Sequence, residues 1–510
     1  MSYDDKITAH QARLDKARAM GSAKRLAERA ATDHILNARE RVAVLCDEDS
    51  FAETGVFAQS TNPDHAGRTP GDGMVSGFGR VDGRLIGVNA ADFTTLGSSS
   101  AEIMGKKQGR VARIARENGH PLVYLMECAG GRIPDIMGAS GIGLSGERAQ
   151  YHRPRIVPTA SAVLGLTYGG GAFSSILSDF TVMRKDAIWA VSSPNVTSVA
   201  ISEDEAADAL GGWRLHTEVT GYADAVVDTD KQAIDTIKQF LSYMPDHNGV
   251  APDRIAVPDG AEDAIQSVLD LVPEARGQVY DVRQVIEAIV DPGSFFPIKQ
   301  RYAKVAVTGL ARIDGRAVGI AASNPRFKGG ALDPDACSKI ANLIMLCDCY
   351  NLPIIFLADT PGFLVGTESE KKRLGGKIMT FMQALELSTV PKIALVLRKS
   401  FGQAYLNLGG GKADETASWF TGEISFMDPA VAVNVAFGVR AEDDPDRFAQ
   451  LVDQVSKQTS AYDLAAPYLA HAVIDPRESR DYLKSTLAIH DRGRTQGVGD
   501  HLMVNWPATL

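Results

Sequence analysis

One stretch of this chain occurs twice. Val390 to Tyr405 reads V-P-K-I-A-L-V-L-R-K-S-F-G-Q-A-Y, and Val157 to Phe173 reads V-P-T-A-S-A-V-L-G-L-T-Y-G-G-G-A-F. Val157 answers Val390, and Tyr168 answers Phe401, both at a shift of 233. Gly79-Arg-Val-Asp-Gly-Arg84 answers Ala311-Arg-Ile-Asp-Gly-Arg316 at a shift of 232. Asn118 to Leu125 answers Tyr350 to Leu357 at that same shift. Upstream, Asp47-Glu-Asp-Ser-Phe51 answers Asp291-Pro-Gly-Ser-Phe295 at 244, so the first half carries about 12 extra residues, assigned to the polar loop Thr61 to Asp72. A period this long excludes a solenoid and indicates two copies of one domain. The 510 residues hold two domains of about 200 to 250 residues each. The polar stretch Pro245 to Pro258, broken by Pro and Gly, is the expected linker. The expected domains are therefore 1–255 and 256–510.

Each copy repeats one plan. An Asp-Gly pair, Asp82-Gly83 or Asp314-Gly315, signals a two-residue hairpin. A small-residue loop follows, Ala90 to Ser100 or Phe327 to Ala331, then a helix expected at 101–117 or 336–349. An apolar strand comes next, Leu122 to Met126 in the first copy, ending in a loop of little side chain, Cys128-Ala-Gly-Gly-Arg132; Leu357 to Phe363 is the strand and strand-end loop of the second copy. The last strand, buried over Ile393 to Leu397 in the second copy, is expected to end at the polar Arg398-Lys399-Ser400. A glycine corner leads into a short helix, expected from about Ala172 to Leu177 in the first copy. The fold class is α/β, built of repeated β-β-α units. Residues 10–45 read as surface helices, 203–242 as partly helical and Gly138 to Gly146 as a further small-residue segment.

Several chemistries are excluded. A net charge of −10 argues against bulk nucleic-acid binding. There is no apolar run of about 18 residues and no secretory signal at the start, so no membrane span and a cytoplasmic location are expected. The five cysteines read as reduced, buried thiols. No G-x-S-x-G elbow, phosphate-binding G-x-x-x-x-G-K-[ST] loop or H-E-x-x-H helix occurs, and ten scattered histidines show no metal-ligand spacing. Asp359, at a strand end, reads either as a base or, as expected, as a turn cap. Lys106, Arg110 and Arg113 share a helix face that could meet phosphates; a solvated face is the expected reading. What remains is the pair of corners, Gly170-Gly171 and Gln403-Ala404. Strand-to-helix corners leave backbone N–H groups that can hold an oxyanion without a charged side chain. The competing explanation is tight packing, where glycine lets backbones approach.

At these residues the sequence resembles the carboxyltransferase (β) subunits of biotin-dependent acyl-CoA carboxylases, such as propionyl-CoA carboxylase. The resemblance runs over roughly residues 10–485. It is carried by Pro70-Gly-Asp-Gly73, Gly169-Gly-Gly-Ala-Phe-Ser174, Asp359-Thr-Pro-Gly-Phe-Leu364, Arg398 to Tyr405 and Ile474-Asp-Pro-Arg-Glu-Ser-Arg480. It implies two tandem crotonase-like (ClpP/crotonase) domains, the first holding acyl-CoA and the second carboxybiotin, in a hexamer whose active sites join domains of different subunits. It implies catalytic oxyanion donors at Gly170 and Gly171 for a thioester enolate, and at Gln403 and Ala404 for the biotin ureido oxygen. Substrate contacts fall on Gly130, Gly131, Ala172, Gly362, Phe363, Gly402, Tyr405 and Leu406. The implied function is transfer of a carboxyl group from carboxybiotin to the α-carbon of a short-chain acyl-CoA, with no metal on this chain. There is no biotin-accepting M-K-M motif and no ATP-binding loop, so a biotin carboxylase/biotin carrier (α) subunit is the expected partner. Departures from the family are Gln403 for a common Gly, the spelling of the Cys128 loop, Val365 for a common Pro, and Leu406 for an acidic residue. They leave the acyl group open. The same chemistry run backwards in a decarboxylase, or a non-catalytic scaffold, are the alternatives.

Overall fold

The computed structural model describes residues 2–65, 67–139, 141 and 153–507. It divides into two compact units, one running to His247 and the other beginning at Asn248, within the polar stretch noted above. The first unit has strands β1 (Ala52–Thr54), β2 (Met74–Val81), β3 (Arg84–Ala91), β4 (Leu122–Ala129), β5 (Thr159–Tyr168), β6 (Phe180–Arg184), β7 (Ile188–Ala190) and β8 (Ala225–Val227). The second has β9 (Phe296–Ile298), β10 (Ala306–Ile313), β11 (Arg316–Ser323), β12 (Ile354–Thr360), β13 (Lys392–Phe401), β14 (Glu415–Trp419), β15 (Glu423–Ser425) and β16 (Ala472–Ile474). The sheet orders are identical: β1-β2-β3-β4-β5-β6-β8 with β7 beside β5, and β9-β10-β11-β12-β13-β14-β16 with β15 beside β13.

The repeat is physical as well as textual. Both hairpins turn through left-handed pairs, Asp82 (φ +49°) with Gly83 (+80°) and Asp314 (+55°) with Gly315 (+72°). That geometry matches the twist of the flanking strands. A carboxylate grips each turn. Asp47 accepts from the N–H of Asp82 and Gly83 at 3.1 and 2.9 Å. Asp291 accepts from Asp314 and Gly315 at 3.0 and 2.8 Å. Ser50 and Ser294 each accept from the following strand, at Arg80 and Arg312. This explains why Asp and Ser recur at the shift of 244.

From β3 and β11 onward the strands are parallel, and helices pack against them, so their sequences are apolar almost throughout. Val111 and Ala115 of the Glu102–Asn118 helix pack on Leu122 and Tyr124. In the second unit Ile320, Ile355, Leu395 and Trp419 share one buried cluster. The extra loop of the first unit also has a use. The Glu102–Asn118 helix has Ala101 at its N-cap and no cap of its own, so Asp72 accepts from Met104 N–H at 2.8 Å. The matching Pro334–Cys349 helix is capped by its own Asp333, which accepts from Ala336 at 2.8 Å.

Some expected boundaries move. β13 does not end at Arg398 but continues to Phe401. Its polar residues are satisfied inside the sheet: Arg398 meets Asp359 of β12, and Lys399 to Phe401 pair with β15. The first corner helix begins at Gly170, not Ala172, because Gly169 makes the turn. Within 203–242 only Ala207–Gly211, a wide turn at Leu215–Val219 and Asp230–Tyr243 are helical, with edge strand β8 between them. Of the N-terminal helices, Tyr3–Arg18 and Ala23–Ala30 bury none of their residues, but Ala38–Leu45 is not a surface helix: Ala38, Arg41, Val42 and Leu45 are buried. Residues 140 and 142–146 of the Gly138 to Gly146 segment lie outside the described residues.

Candidate active site

β5 and β13 are each followed by a glycine that no other residue could replace without strain. Gly169 has φ +57° and ψ −124°, and Gly402 has φ +61° and ψ −147°. This region is open only to glycine, and it swings the chain from the strand straight into a helix. The N–H of Gly169 donates to Val191 and that of Gly402 to Ser425, which fixes each corner against β7 or β15. The first bond inside the next helix is Phe173 to Gly169 in one unit and Tyr405 to Gly402 in the other. Among the described residues no acceptor meets the N–H of Gly170, Gly171 or Ala172, or that of Gln403 or Ala404. These are the orphan donors of a helix start, carrying its partial positive charge.

The strand-end loops lie beside the corners in the same way in both units. A Cβ on Gly169 would stand 3.9 Å from Gly130 Cα, and one on Gly362 would stand 3.9 Å from the Phe401 carbonyl. Ser100 bridges to Gly131, and Leu332 bridges to Phe363. Ser100 N–H donates to the Gly130 carbonyl and Arg132 N–H to Ser100, each at 2.8 Å. Leu332 to Gly362 and Leu364 to Leu332 repeat that pattern at 3.0 and 2.8 Å. The structure thus gathers Gly130, Gly131, Gly170 and Gly171 in the first unit, and Gly362, Phe363, Gly402, Gln403 and Ala404 in the second. A Cβ on Gly171 would fall 2.7 Å from Cys128 Cβ, so close packing and donor exposure both hold there. Ala172 offers only its N–H, since its side chain is in the core and its carbonyl accepts from Trp189. The Tyr405 ring lies over Gly410, where an added Cβ would approach it to 2.3 Å, and its burial pushes the phenol pKa up. Leu406 is half-buried.

Gln403 departs from the glycine common in the family, and the backbone explains why this is tolerated. It stands at the first helical position and is not among the residues with positive φ. Its side chain donates to Asn407 at 3.1 Å, folding along its own helix and leaving the main-chain N–H in place.

Asp359 is a structural carboxylate. It is fully buried, accepts from Arg398 at 2.9 Å and from Lys399 N–H at 3.3 Å. The basic face is locally neutralised, Lys106 by Glu102 and Arg113 by Glu117. The residue on that helix with unusual surroundings is its neighbour. Lys107 is buried and donates to the carbonyls of Gly71 and Met74, at 2.7 and 2.5 Å. Its counterpart Lys339 donates to Tyr302 and Ala306 at 2.8 and 2.7 Å. The signal that could have found them was there: two lysines at the common shift of 232, each inside an otherwise apolar helix face. Among the described residues no cluster of His, Cys, Asp and Glu could hold a metal, and no helix is long and apolar enough to cross a membrane.

The carboxyl transferase domain model matches residues 35–498. The chain belongs to that family. This carboxyltransferase is 34% identical over 505 residues to the propionyl-CoA carboxylase carboxyltransferase subunit of Haloferax mediterranei, covering 96% of both chains. It is 32% identical over 499 residues to the methylmalonyl-CoA decarboxylase subunit alpha of Veillonella parvula, again covering 96% of both. The transcarboxylase 12S crystal structure, a hexamer assembly with hydrolysed methylmalonyl-coenzyme A bound, superposes with a TM-score of 0.89. It shares 30% identity and 96% coverage of each chain. The carboxyltransferase fold is therefore the crotonase-like α/β pair that the resemblance implied.

Proposed function

We propose that this carboxyltransferase moves a carboxyl group between biotin on a partner chain and the α-carbon of a short-chain acyl-CoA, in the carboxylating direction. The observation that carries this reading is the matched pair of corners, each presenting adjacent main-chain N–H groups with no acceptor among the described residues. Transfer at an α-carbon passes through a thioester enolate. The N–H groups of Gly170 and Gly171 are assigned to its oxygen, and those of Gln403 and Ala404 to the ureido oxygen of biotin. Donors already fixed by folding need no reorganisation when the charge forms, and losing one typically costs about 3 to 4 kcal/mol of barrier. Carboxybiotin, when bound, supplies the carboxyl group. The residues present fit both groups, since the donors are oriented by positive-φ glycines and neighboured by loops with little side chain. No side-chain base is assigned, in keeping with Asp359 being held by Arg398.

Gly130, Gly131 and Ala172 are assigned to the acyl-CoA side, and Gly362, Phe363, Gly402, Tyr405 and Leu406 to the biotin side and the far end of the acyl pocket. The first half, 1–255, would carry acyl-CoA and the second, 256–510, biotin. A biotin carboxylase/biotin carrier (α) subunit, a hexameric assembly and a cytoplasmic location complete the reading. Gln403 keeping its N–H supports a catalytic subunit over a scaffold. The Veillonella relative supports a second reading, the same chemistry run towards decarboxylation.

The test is incorporation of labelled bicarbonate into acetyl-, propionyl-, butyryl- and longer acyl-CoAs by the reconstituted complex with ATP. Label in a short-chain acyl-CoA is expected. Absence of label with every acyl-CoA, together with loss of carboxyl from methylmalonyl-CoA, would move the assignment to the decarboxylase.

A further inference from the structure

The first corner helix, Gly170–Ile176, has only seven residues, and a helix that short does not hold itself in place. The direction of its N-terminal N–H groups is therefore set by what grips it. Trp189 of β7, only 1% exposed, shares a buried cluster with Ala172. Its indole Nε1–H donates to the Ala172 carbonyl at 3.2 Å. That bond pins the turn from which the Gly170 and Gly171 N–H groups point. The main chain of the same strand ends at Val191, which takes the N–H of Gly169.

Trp189 is held in turn by an imidazole. His216 lies in the wide turn Leu215–Val219, where the Thr220 N–H donates back to the Leu215 carbonyl. Turns bonded from i to i+5 are rare and gather at functional sites. The His216 ring is buried, with Nε2 at 2.6 Å from the Trp189 carbonyl and Nδ1 at 3.1 Å from the Thr220 hydroxyl. A carbonyl only accepts, so Nε2 carries the proton. Burial lowers the imidazole pKa, which keeps the ring neutral and leaves Nδ1 to accept from Thr220. Trp189 and Tyr222 flank the ring, at 5.0 and 5.7 Å between centroids. Gly211 closes on the same carbonyl, where an added Cβ would fall at 2.4 Å.

The second corner is braced by other means. Ile424 stands where Trp189 does, since Ala190 pairs with Tyr168 and Ser425 with Phe401. Its N–H donates to the Thr459 carbonyl at 2.7 Å, a bond between main chains. The second corner helix is tied through Asn407, which donates to the Ile378 carbonyl at 3.2 Å.

We propose that Trp189 and His216 are positioning residues that aim the Gly170 and Gly171 N–H groups at the enolate oxygen. The inference rests on the carboxyl-transfer reading and names the side chains behind its first corner. His216 fixes Trp189, Trp189 fixes Ala172, and the two donors follow. A displacement of about 1 Å at a reacting centre can cost about 10²-fold in rate.

Kinetics of labelled-bicarbonate incorporation by the reconstituted complex test it, with Trp189→Phe, His216→Leu and His216→Gln. Trp189→Phe removes the indole N–H and keeps an aromatic ring. His216→Leu removes the donor and keeps an apolar bulk, whereas His216→Gln keeps a donor able to reach the Trp189 carbonyl. Trp189→Phe and His216→Leu should each lower kcat roughly tenfold or more, with the KM for acyl-CoA little changed. His216→Gln should recover most of the lost rate. Circular dichroism checks folding, and if one variant does not fold the others decide. Wild-type kcat in folded Trp189→Phe, a loss that falls on KM instead of kcat, or a His216→Gln as slow as His216→Leu would overturn the inference and leave the carboxyl-transfer reading standing. A wild-type complex that labels no acyl-CoA would sink that reading, and the inference with it.

Discussion

At the scale of single residues, the corners separate what a side chain does from what a backbone does. Gln403 occupies the first helical position, where proline is compatible with the backbone. Gln403→Pro should therefore fold, yet lose one donor. Its kcat should fall by about 10² to 10³ with little change in KM, while Gln403→Ala stays near wild type. Equal loss in both variants would show that the glutamine side chain matters instead. Leu406 follows the same corner. Burying an unpaired carboxylate beside an alkyl chain costs several kcal/mol or forces its protonation. Leu406→Asp should thus lower kcat/KM most for the longest accepted acyl-CoA, by about 1 to 3 kcal/mol relative to acetyl-CoA. A uniform loss across chain lengths would place Leu406 in support of the corner.

At the scale of elements, each buried lysine ties a helix to the start of a hairpin strand. Lys107 reaches Met74, the first residue of β2, and Lys339 reaches Ala306, the first of β10. Burial pushes the Lys339 amine down to about 7 in the folded chain from an ordinary value of 10.5. Between those values the unfolded chain binds more protons, so folding stability rises with pH across that window. The stability gap between wild type and Lys339→Met, measured by urea unfolding without phosphate, should shift in favour of wild type from pH 7 to pH 9. A gap independent of pH would mean that the two carbonyl bonds hold the amine protonated throughout. The lysines escaped sequence reading because a lone Lys in an apolar helix looks like a side chain reaching for solvent. The extension of β13 escaped it because Arg398 is polar in sequence but neutralised by a neighbour some 40 positions away.

At the scale of the whole molecule, the hairpins, the buried strands and both corners were legible because an internal repeat supplies its own comparison. What differs between copies was not legible, since it depends on which partners the fold supplies. The turn grips show this. Asp47 is partly exposed, whereas Asp291 is buried and also pairs with buried Arg480 at 2.7 Å. Asp291→Ala should cost about 3 to 5 kcal/mol by stranding that guanidinium, and Asp47→Ala about 1 to 3 kcal/mol for two lost bonds. Chemical denaturation checks the order, and equal costs would show that Glu262, which also meets Arg480, carries the pairing.

The corners also have a consequence for heredity. A donor that belongs to the peptide bond survives every codon change except one to proline. Gln403 is a single base substitution from a proline codon, and Ala404 likewise, but Gly170 and Gly171 are each two substitutions away. Point mutation can therefore silence the second corner in one step and the first only in two. The letters at either corner are otherwise free to drift wherever packing allows, while the chemistry stays unchanged.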